Sequence, residues 1–116
     1  MYYVIIQVFK EEYLDDIMLA LTTVGIDNGT IVDGINSDNV LNQHIPLFTG
    51  LIPHDSTSSR YCKIVTTTID SMDRIDALSE VFDDADIDFR EEGVGRLVVI
   101  PAVMVVDENT DWHSEN

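Results

Sequence analysis

The sequence predicts an α+β domain in which strands and helices follow one another in the order β-α-β-β-α-β. Residues 2–9 and 97–103 are almost continuous runs of β-branched and aromatic or aliphatic residues, which is typical of buried strands. Residues 11–24 and 72–82 instead carry apolar residues at helical spacing. A chain of 116 residues builds one hydrophobic core, so we expect one domain.

Each predicted helix has a start or a stop signal. The first begins with acids at Glu11 and Glu12, which suit the positive end of a helix dipole, and Gly25 supplies its stop. The second begins at a cap, Asp70 or Ser71. Its apolar face consists of Met72, Ile75, Leu78, Val81 and Phe82.

The two middle strands are predicted at residues 30–33 and 60–69, and Gly34 is expected to end or bend the first of them. Residues 35–58 between them have no clear period, and a loop of this length in a small domain is usually functional or mobile. The acidic tail at 107–116 is predicted to be disordered, as is most of the loop. Residues 1–106 then form the domain.

This order of elements is that of the ferredoxin-like arrangement, an antiparallel sheet with both helices on one face. The strands are apolar on both faces, however, and two helices cover only one. The uncovered face is therefore predicted to be buried against other copies of the chain. A charge at Ile6 or Val99, whichever of the two faces inward, should break that assembly.

The overall charge excludes some partners and compartments. With 22 acids against 6 bases, the formal charge is −16, which disfavours nucleic acids and anionic membranes. Cys62 is the sole cysteine, which points to a reducing compartment. The N-terminus lacks the basic flank of a signal peptide, and the longest apolar run is about half a membrane span. We therefore expect a cytoplasmic protein.

The candidate binding element is the glycine turn, Gly93-Val94-Gly95, followed by Arg96. Backbone N–H groups in such a turn can hold an anion, and a guanidinium supplies a planar fork of donors. A plain tight turn between the second helix and the last strand is the alternative interpretation. Arg96 could equally pair with Glu91 or Glu92.

Several stretches, in one order over one topology, resemble the PII signalling proteins and, more closely, PII-like relatives with a shortened central loop. In the first half they are Lys10 with Leu14-Asp15-Asp16, and Gly29-Thr30-Ile31-Val32 followed by Gly34. In the second half, residues 93–101 resemble the family's Gly-x-Gly-Lys turn and the strand that ends in proline. Ile45-Pro46-Leu47-Phe48-Thr49-Gly50 resembles the segment that replaces the long effector loop.

The resemblance implies a homotrimeric regulator that is not an enzyme. Family members bind adenine nucleotides or other small anions in clefts between subunits and thereby regulate a partner such as a membrane transporter or an enzyme. By position, Val8, Thr30 and Gly34 would line the base side of this cleft. Gly93, Val94, Gly95 and Arg96 would form its phosphate side.

Some of the family's phosphate-binding positions are altered in this chain. Ser37 and Asp38 stand where the family carries arginine and glutamine, and residues 103–108 contain no base. Each charged hydrogen bond to phosphate contributes roughly 1.5–3 kcal/mol, so two or three lost donors predict weak ATP binding. ADP, AMP or another small anion is the expected ligand.

Two other functions are compatible with the same fold. One is a metal-binding trimer that uses His44, His54 and His113, although no two of these histidines have ligand spacing such as i, i+4. The other is a purely structural interaction module. The serines at 56–59 lie in no nucleophile motif, and no histidine and acid are placed for acid–base catalysis, so we do not expect an enzyme.

Overall fold

The computed structural model describes residues 1–37 and 61–108, and over these residues it confirms the predicted order of elements. The strands are β1 (Tyr2–Val8), β2 (Thr30–Ile35), β3 (Tyr61–Ile69) and β4 (Gly95–Pro101). The helices are α1 (Leu14–Thr23), which follows one turn of 3-10 helix (Glu11–Tyr13), and α2 (Met72–Asp84). No helix in the described ranges is long and apolar enough to cross a membrane.

The four strands form one antiparallel sheet in the order β2-β3-β1-β4. β1 pairs along its whole length with both β3 and β4, so that Ile5 lies between Thr66 and Val98. β2 and β4 are the edge strands. This order is the ferredoxin-like arrangement that the sequence predicted.

Both helices pack on the same face of the sheet and bury the core there. Ile17 and Leu21 of α1 are at most 1% exposed, and they belong to the same cluster as Leu78 of α2 and Ile6 and Val65 of the sheet. Fully burying one such side chain contributes about 1.5–3 kcal/mol, so this layer supplies most of the favourable free energy of folding.

The signals predicted at two helix ends are confirmed. Of the two candidate caps for α2, Ser71 fills the role, because its hydroxyl accepts a hydrogen bond from the Arg74 N–H (3.3 Å). Gly25 follows α1 with a φ of 81°, and the Ile26 N–H donates to the Leu21 carbonyl (2.8 Å). This pair of features is the usual way a helix ends on glycine.

The end of α2 uses an aspartate where α1 uses glycine. Asp86 takes a left-handed conformation (φ 59°), and the Ile87 N–H donates to the Phe82 carbonyl (2.9 Å). Ile87 is 2% exposed, so this turn brings the chain back onto the core. A residue with a Cβ is strained in this conformation because the Cβ crowds the following carbonyl oxygen.

We expect Asp86→Gly to raise the free energy of unfolding by about 0.5–1 kcal/mol, because glycine adopts positive φ without strain. Urea unfolding with an unchanged slope would measure it. The matched control is Asp84→Gly, which makes the same change in the last turn of α2 and should lower stability by a similar amount. Destabilisation by both variants would contradict the prediction.

The boundaries of three strands differ from those predicted, and β1 ends one residue early, at Val8. β2 does not end at Gly34 but continues to Ile35, because Gly34 pairs with Cys62 of β3. β4 begins at Gly95 and ends at Pro101, two residues earlier at each end than the apolar run from 97 to 103 indicated. Proline has no N–H to donate, so it suits the end of an edge strand.

The face of the sheet away from the helices, which we call the open face, presents alternate residues of all four strands. They are Tyr3, Ile5 and Gln7 of β1, Thr30, Val32 and Gly34 of β2, Cys62, Ile64, Thr66 and Thr68 of β3, and Arg96, Val98 and Ile100 of β4. Large apolar members remain accessible, with Tyr3 39%, Val32 46% and Ile100 44% exposed. The uncovered apolar face that the sequence predicted is therefore present.

The prediction that a charge at Ile6 or Val99 would break the assembly was wrong, because both side chains face the helices. Ile6 is fully buried, and Val99 packs against the same cluster of core residues beneath the helices. Because side chains alternate along a strand, their neighbours Ile5 and Val98 lie on the open face instead.

The predictions about order fall almost entirely on residues outside the described part of the chain. Of the loop at 35–58, the structure describes 35–37, and Ile35 is the last residue of β2. Of the tail at 107–116, it describes Asp107 and Glu108, which are both exposed.

Candidate functional site

The glycine turn leads from α2 into the start of β4 and lies beside the end of β1. Gly93 has a φ of 83°, a conformation that favours glycine, and Val94 next to it is 2% exposed and lies in the core. The Phe9 N–H donates to the Val94 carbonyl (3.1 Å). The Val94 N–H also donates to the Glu91 carbonyl (3.4 Å), so the turn is held by one buried side chain and two backbone hydrogen bonds, with Gly93 at its bend.

Close packing against β1 explains why the second residue of the pair, position 95, is a glycine. A Cβ on Gly95 would lie 2.1 Å from the Gln7 carbonyl oxygen and 3.4 Å from the Phe89 ring. Real Cβ atoms essentially never approach a backbone oxygen so closely, so the pairing of β4 with β1 requires glycine at this position. Gly95 is therefore explained by the fold before any ligand is considered.

Two cationic side chains flank the turn. A Cβ on Gly93 would lie 3.4 Å from Cε and 3.8 Å from Nζ of Lys10, so the lysine side chain runs alongside the turn. Arg96 follows the turn on the open face, opposite Gln7, and its side chain is exposed. Within the described residues it pairs with neither Glu91 nor Glu92, so the alternative interpretation of Arg96 as a surface ion pair is not supported.

Lys10 is the residue at this site that sequence reasoning missed, since it entered only as part of the family pattern. The predicted strand order was enough to place Lys10 beside the turn. In a β-α-β-β-α-β sheet the first and last strands are neighbours and antiparallel, so the residues after β1 lie beside those before β4. Lys10 is two residues beyond the end of β1 and is brought to the turn for this reason.

The predicted base side lies on β2. Thr30 is exposed at the start of that strand, where the Asn28 side chain accepts a hydrogen bond from the Thr67 hydroxyl (2.7 Å) and donates one to the Thr68 hydroxyl (3.1 Å). These two bonds fix the chain as it enters β2. Thr30 projects from the open face and is available to a ligand or to another chain.

Packing within the fold also explains why position 34, further along β2, is a glycine. A Cβ on Gly34 would lie 2.9 Å from Sγ of Cys62, the buried free cysteine opposite it. The thiol fills the space that a side chain at position 34 would need. This contact explains the glycine without a ligand, although its backbone remains at the edge of the sheet.

The structure does not bring the two predicted halves of the site together in one chain. Thr30 and Gly34 lie on one edge strand and Arg96 on the other, with β3 and β1 between them. Three strand spacings of about 4.8 Å separate the edges by roughly 14 Å. The Val8 side chain, also predicted for the base side, is fully buried beneath the helices and is therefore not accessible to a ligand.

The remaining polar feature near the turn is acidic. Asp83, Asp86, Asp88 and Glu91 line a shallow cavity beyond the end of α2. The Arg90 guanidinium donates to both carboxylate oxygens of Asp88 (2.9 and 3.2 Å), and this bond lowers the pKa of that carboxyl.

None of the described histidine, cysteine or acidic residues forms a group of three that could hold a metal ion. The three histidines of the metal-site alternative, His44, His54 and His113, lie outside the described residues.

Comparison with known proteins supports the fold and leaves the family membership unassigned. No protein-family profile matches the sequence, and no curated protein matches it either. Among solved structures, the chain is similar to the crystal structure of Arabidopsis thaliana PII bound to citrate, with a TM-score of 0.55 and 16% identity. The match covers 94% of this chain and 84% of that one. The chain therefore has the PII-like, ferredoxin-like fold.

Proposed function

We propose that this protein is a homotrimeric sensor that binds a small anionic ligand in clefts between subunits and regulates a partner protein. The observation that carries the proposal is the division of the candidate site between the two edges of one sheet. Thr30 and Gly34 on β2 and the glycine turn with Arg96 beside β4 meet only if a second copy supplies one of the halves.

The open face supports the same assembly. It exposes large apolar side chains on β1, β2 and β4, and soluble monomers seldom expose a large apolar surface. A closed ring of identical copies buries this face in every subunit and brings the edge strands of neighbouring subunits close together. The interface and the cleft would then form in a single step.

The ligand we propose is an adenine nucleotide with few phosphates, ADP or AMP, or another small anion. The glycine turn and Arg96 provide donors for one anionic group. The described residues 103–108 provide no further base, which disfavours a triphosphate. The similar plant PII structure holds citrate, so small carboxylate anions belong among the candidates.

The regulatory part of the proposal follows from the PII-like fold and the family resemblance. The partner would be a transporter or an enzyme in the cytoplasm, and the formal charge of −16 disfavours a nucleic acid in this role. A purely structural module of the same fold would assemble in the same way but bind none of these ligands. Ligand binding therefore separates the two functions.

Calorimetric titration of the full chain with AMP, ADP, ATP and citrate tests the proposal. We expect at least one of AMP, ADP and citrate to bind, and ATP to bind weakly. Arg96→Ala should cost roughly 1.5–3 kcal/mol of binding free energy if the guanidinium meets a charged group. Nanomolar ATP binding would contradict the argument from missing donors, and absence of binding by all four compounds would leave the structural module.

A further inference from the structure

The helix-facing side of β2 is not covered by α1 or α2. Every residue of this strand except Gly34 is exposed. Ile31 is 46% and Ile35 54% exposed, and both lie on the side of the helices, because Ile31 pairs with the fully buried Val65. The layer of helices therefore ends before the sheet does, and it leaves a second apolar surface that is separate from the open face.

The register of β2 and β3 joins these residues into one surface. Asp33 pairs with Lys63 in the row next to Ile31, and Ile35 pairs with Tyr61, which is 55% exposed, in the row after that. We call these five residues, Ile31, Asp33, Ile35, Tyr61 and Lys63, the ribbon patch. Four strand steps make it roughly 13 Å long, and its two strands lie about 4.8 Å apart.

The outermost charge of the ribbon patch is negative. Lys63 forms an ion pair with Asp33, but the Asp33 side chain is 77% exposed and the Lys63 side chain only 26%. The hydrogen bond to Asp33 raises the pKa of Lys63, and the charge of Glu11 raises it as well. Glu11 is exposed and lies three residues beyond Val8, which pairs with Lys63. An incoming surface would therefore meet two carboxylates beside the apolar side chains.

We infer that the ribbon patch is a docking surface for an amphipathic helix of a partner protein, with basic residues beside the apolar stripe of that helix. One helix is about 10 Å across, so it covers two neighbouring strands and extends the layer that α1 and α2 begin. Its apolar stripe would cover Ile31, Ile35 and Tyr61, and its basic residues would complement Asp33 and Glu11. A second copy of this chain is disfavoured as the occupant, because each copy carries a formal charge of −16.

This inference names the surface that the regulated partner would contact, and for that role it rests on the proposed function. The ribbon patch lies on the opposite side of the sheet from the open face, so a ring closed through the open faces would leave it accessible. β2 also carries Thr30 and Gly34 on its other side. A docked helix and a ligand in the cleft would therefore contact the same strand.

The test is an NMR titration of the full chain with a synthetic helical peptide of roughly 15–20 residues, with leucine on one face and lysine on the other. One reference peptide has glutamate in place of lysine, and a second has the same composition with its leucines scattered around the helix. We expect the amide signals of residues 31–35 and 61–63 to move with the first peptide only. Binding should weaken as salt is added, because the carboxylates face solvent.

Substitutions in the ribbon patch should weaken binding of this peptide. Ile35→Ser and Tyr61→Ser should each do so about tenfold, because each removes a large side chain that the peptide would bury. Asp33→Asn should weaken it about two- to fivefold, as expected for an exposed ion pair. If the Ile35→Ser amide spectrum shows an unfolded chain, Tyr61→Ser carries the test.

Leu19→Ser and Asp84→Asn are the matched controls. Leu19 is 65% exposed on α1, and Asp84 is exposed at the end of α2. We expect each control to change peptide affinity by less than twofold. Equal losses in the test and control variants would assign binding to general apolarity and charge and overturn the docking surface. Equal binding of either reference peptide would overturn it too, as would signals of the ribbon patch that do not move.

The peptide titration is independent of the ligand titration proposed above. Ile35→Ser and Tyr61→Ser should bind AMP, ADP or citrate as the wild type does, because these side chains lie away from the open face. Peptide binding at the ribbon patch in a protein that binds none of these ligands would support the docking surface and refute the sensor. Peptide signals confined to the open face, at residues such as Val98, would overturn the docking surface and leave the sensor intact.

Discussion

Replacing Gly95 by alanine should lower the free energy of unfolding by about 2–4 kcal/mol, the range of severe overpacking. The added Cβ would meet the Gln7 carbonyl oxygen at 2.1 Å, and that oxygen belongs to the neighbouring strand β1. Neither backbone can move away without breaking the pairing of β1 with β4. Chemical denaturation would measure the loss, and amide exchange in β1 and β4 would locate it.

Gly29→Ala is the matched control for this prediction. A Cβ on Gly29 would make only ordinary contacts, at 3.7 Å or more, and its backbone does not need positive φ. Stability should therefore change little, by about 0.5 kcal/mol. If the two variants lose the same amount, the close approach at Gly95 is not what makes glycine necessary there.

The expected cost at Gly95 also limits what substitutions there reveal about binding. A variant that separates β4 from β1 displaces Arg96 and the turn together, so it loses a ligand whether or not Gly95 touches one. Lys10 and Arg96 are better probes, because both side chains lie outside the core. Their loss alters charge at the turn and leaves the buried packing unchanged.

Val98→Asp should convert the protein from a trimer to a monomer at micromolar concentration. Val98 lies on β4 opposite Ile5, is 36% exposed and would be buried when open faces meet. An unpaired carboxylate in such an interface costs several kcal/mol by desolvation, which exceeds what one lost valine contact costs. Light scattering should show the mass fall from three times 13.0 kDa to 13.0 kDa.

Leu19→Asp is the control for the assembly. Leu19 is 65% exposed on α1, on the opposite side of the sheet, so the same kind of change there should leave the trimer intact. A wild-type protein that is a stable monomer would refute the proposed assembly directly. Dissociation by the charge at Leu19 would instead place the interface on the helices.

The sequence by itself determined the order of the elements and much of their termination. Helical spacing of apolar residues, the Ser71 cap and the Gly25 stop depend on contacts within a few residues, so local patterns carry this information. The uncovered apolar face was also predictable, because it follows from counting two helices against a sheet that is apolar on both sides. The sequence pattern did not predict the helix stop at Asp86, because the left-handed position after a helix is usually occupied by glycine.

The tertiary structure alone decided which residues meet. Runs such as Tyr3-Val4-Ile5-Ile6 are apolar at every position, so the pattern does not show which alternate residues face the helices. The sheet register shows that Ile5 and Val98 lie on the open face.

The same holds for the site. Glycine is required at position 34 by Sγ of Cys62 and at position 95 by the Gln7 carbonyl oxygen, and both contacts join residues that are distant in sequence. Lys10 reached the turn through pairing between the two ends of the chain. Contacts between residues distant in sequence depend on register and strand order, which no local pattern encodes.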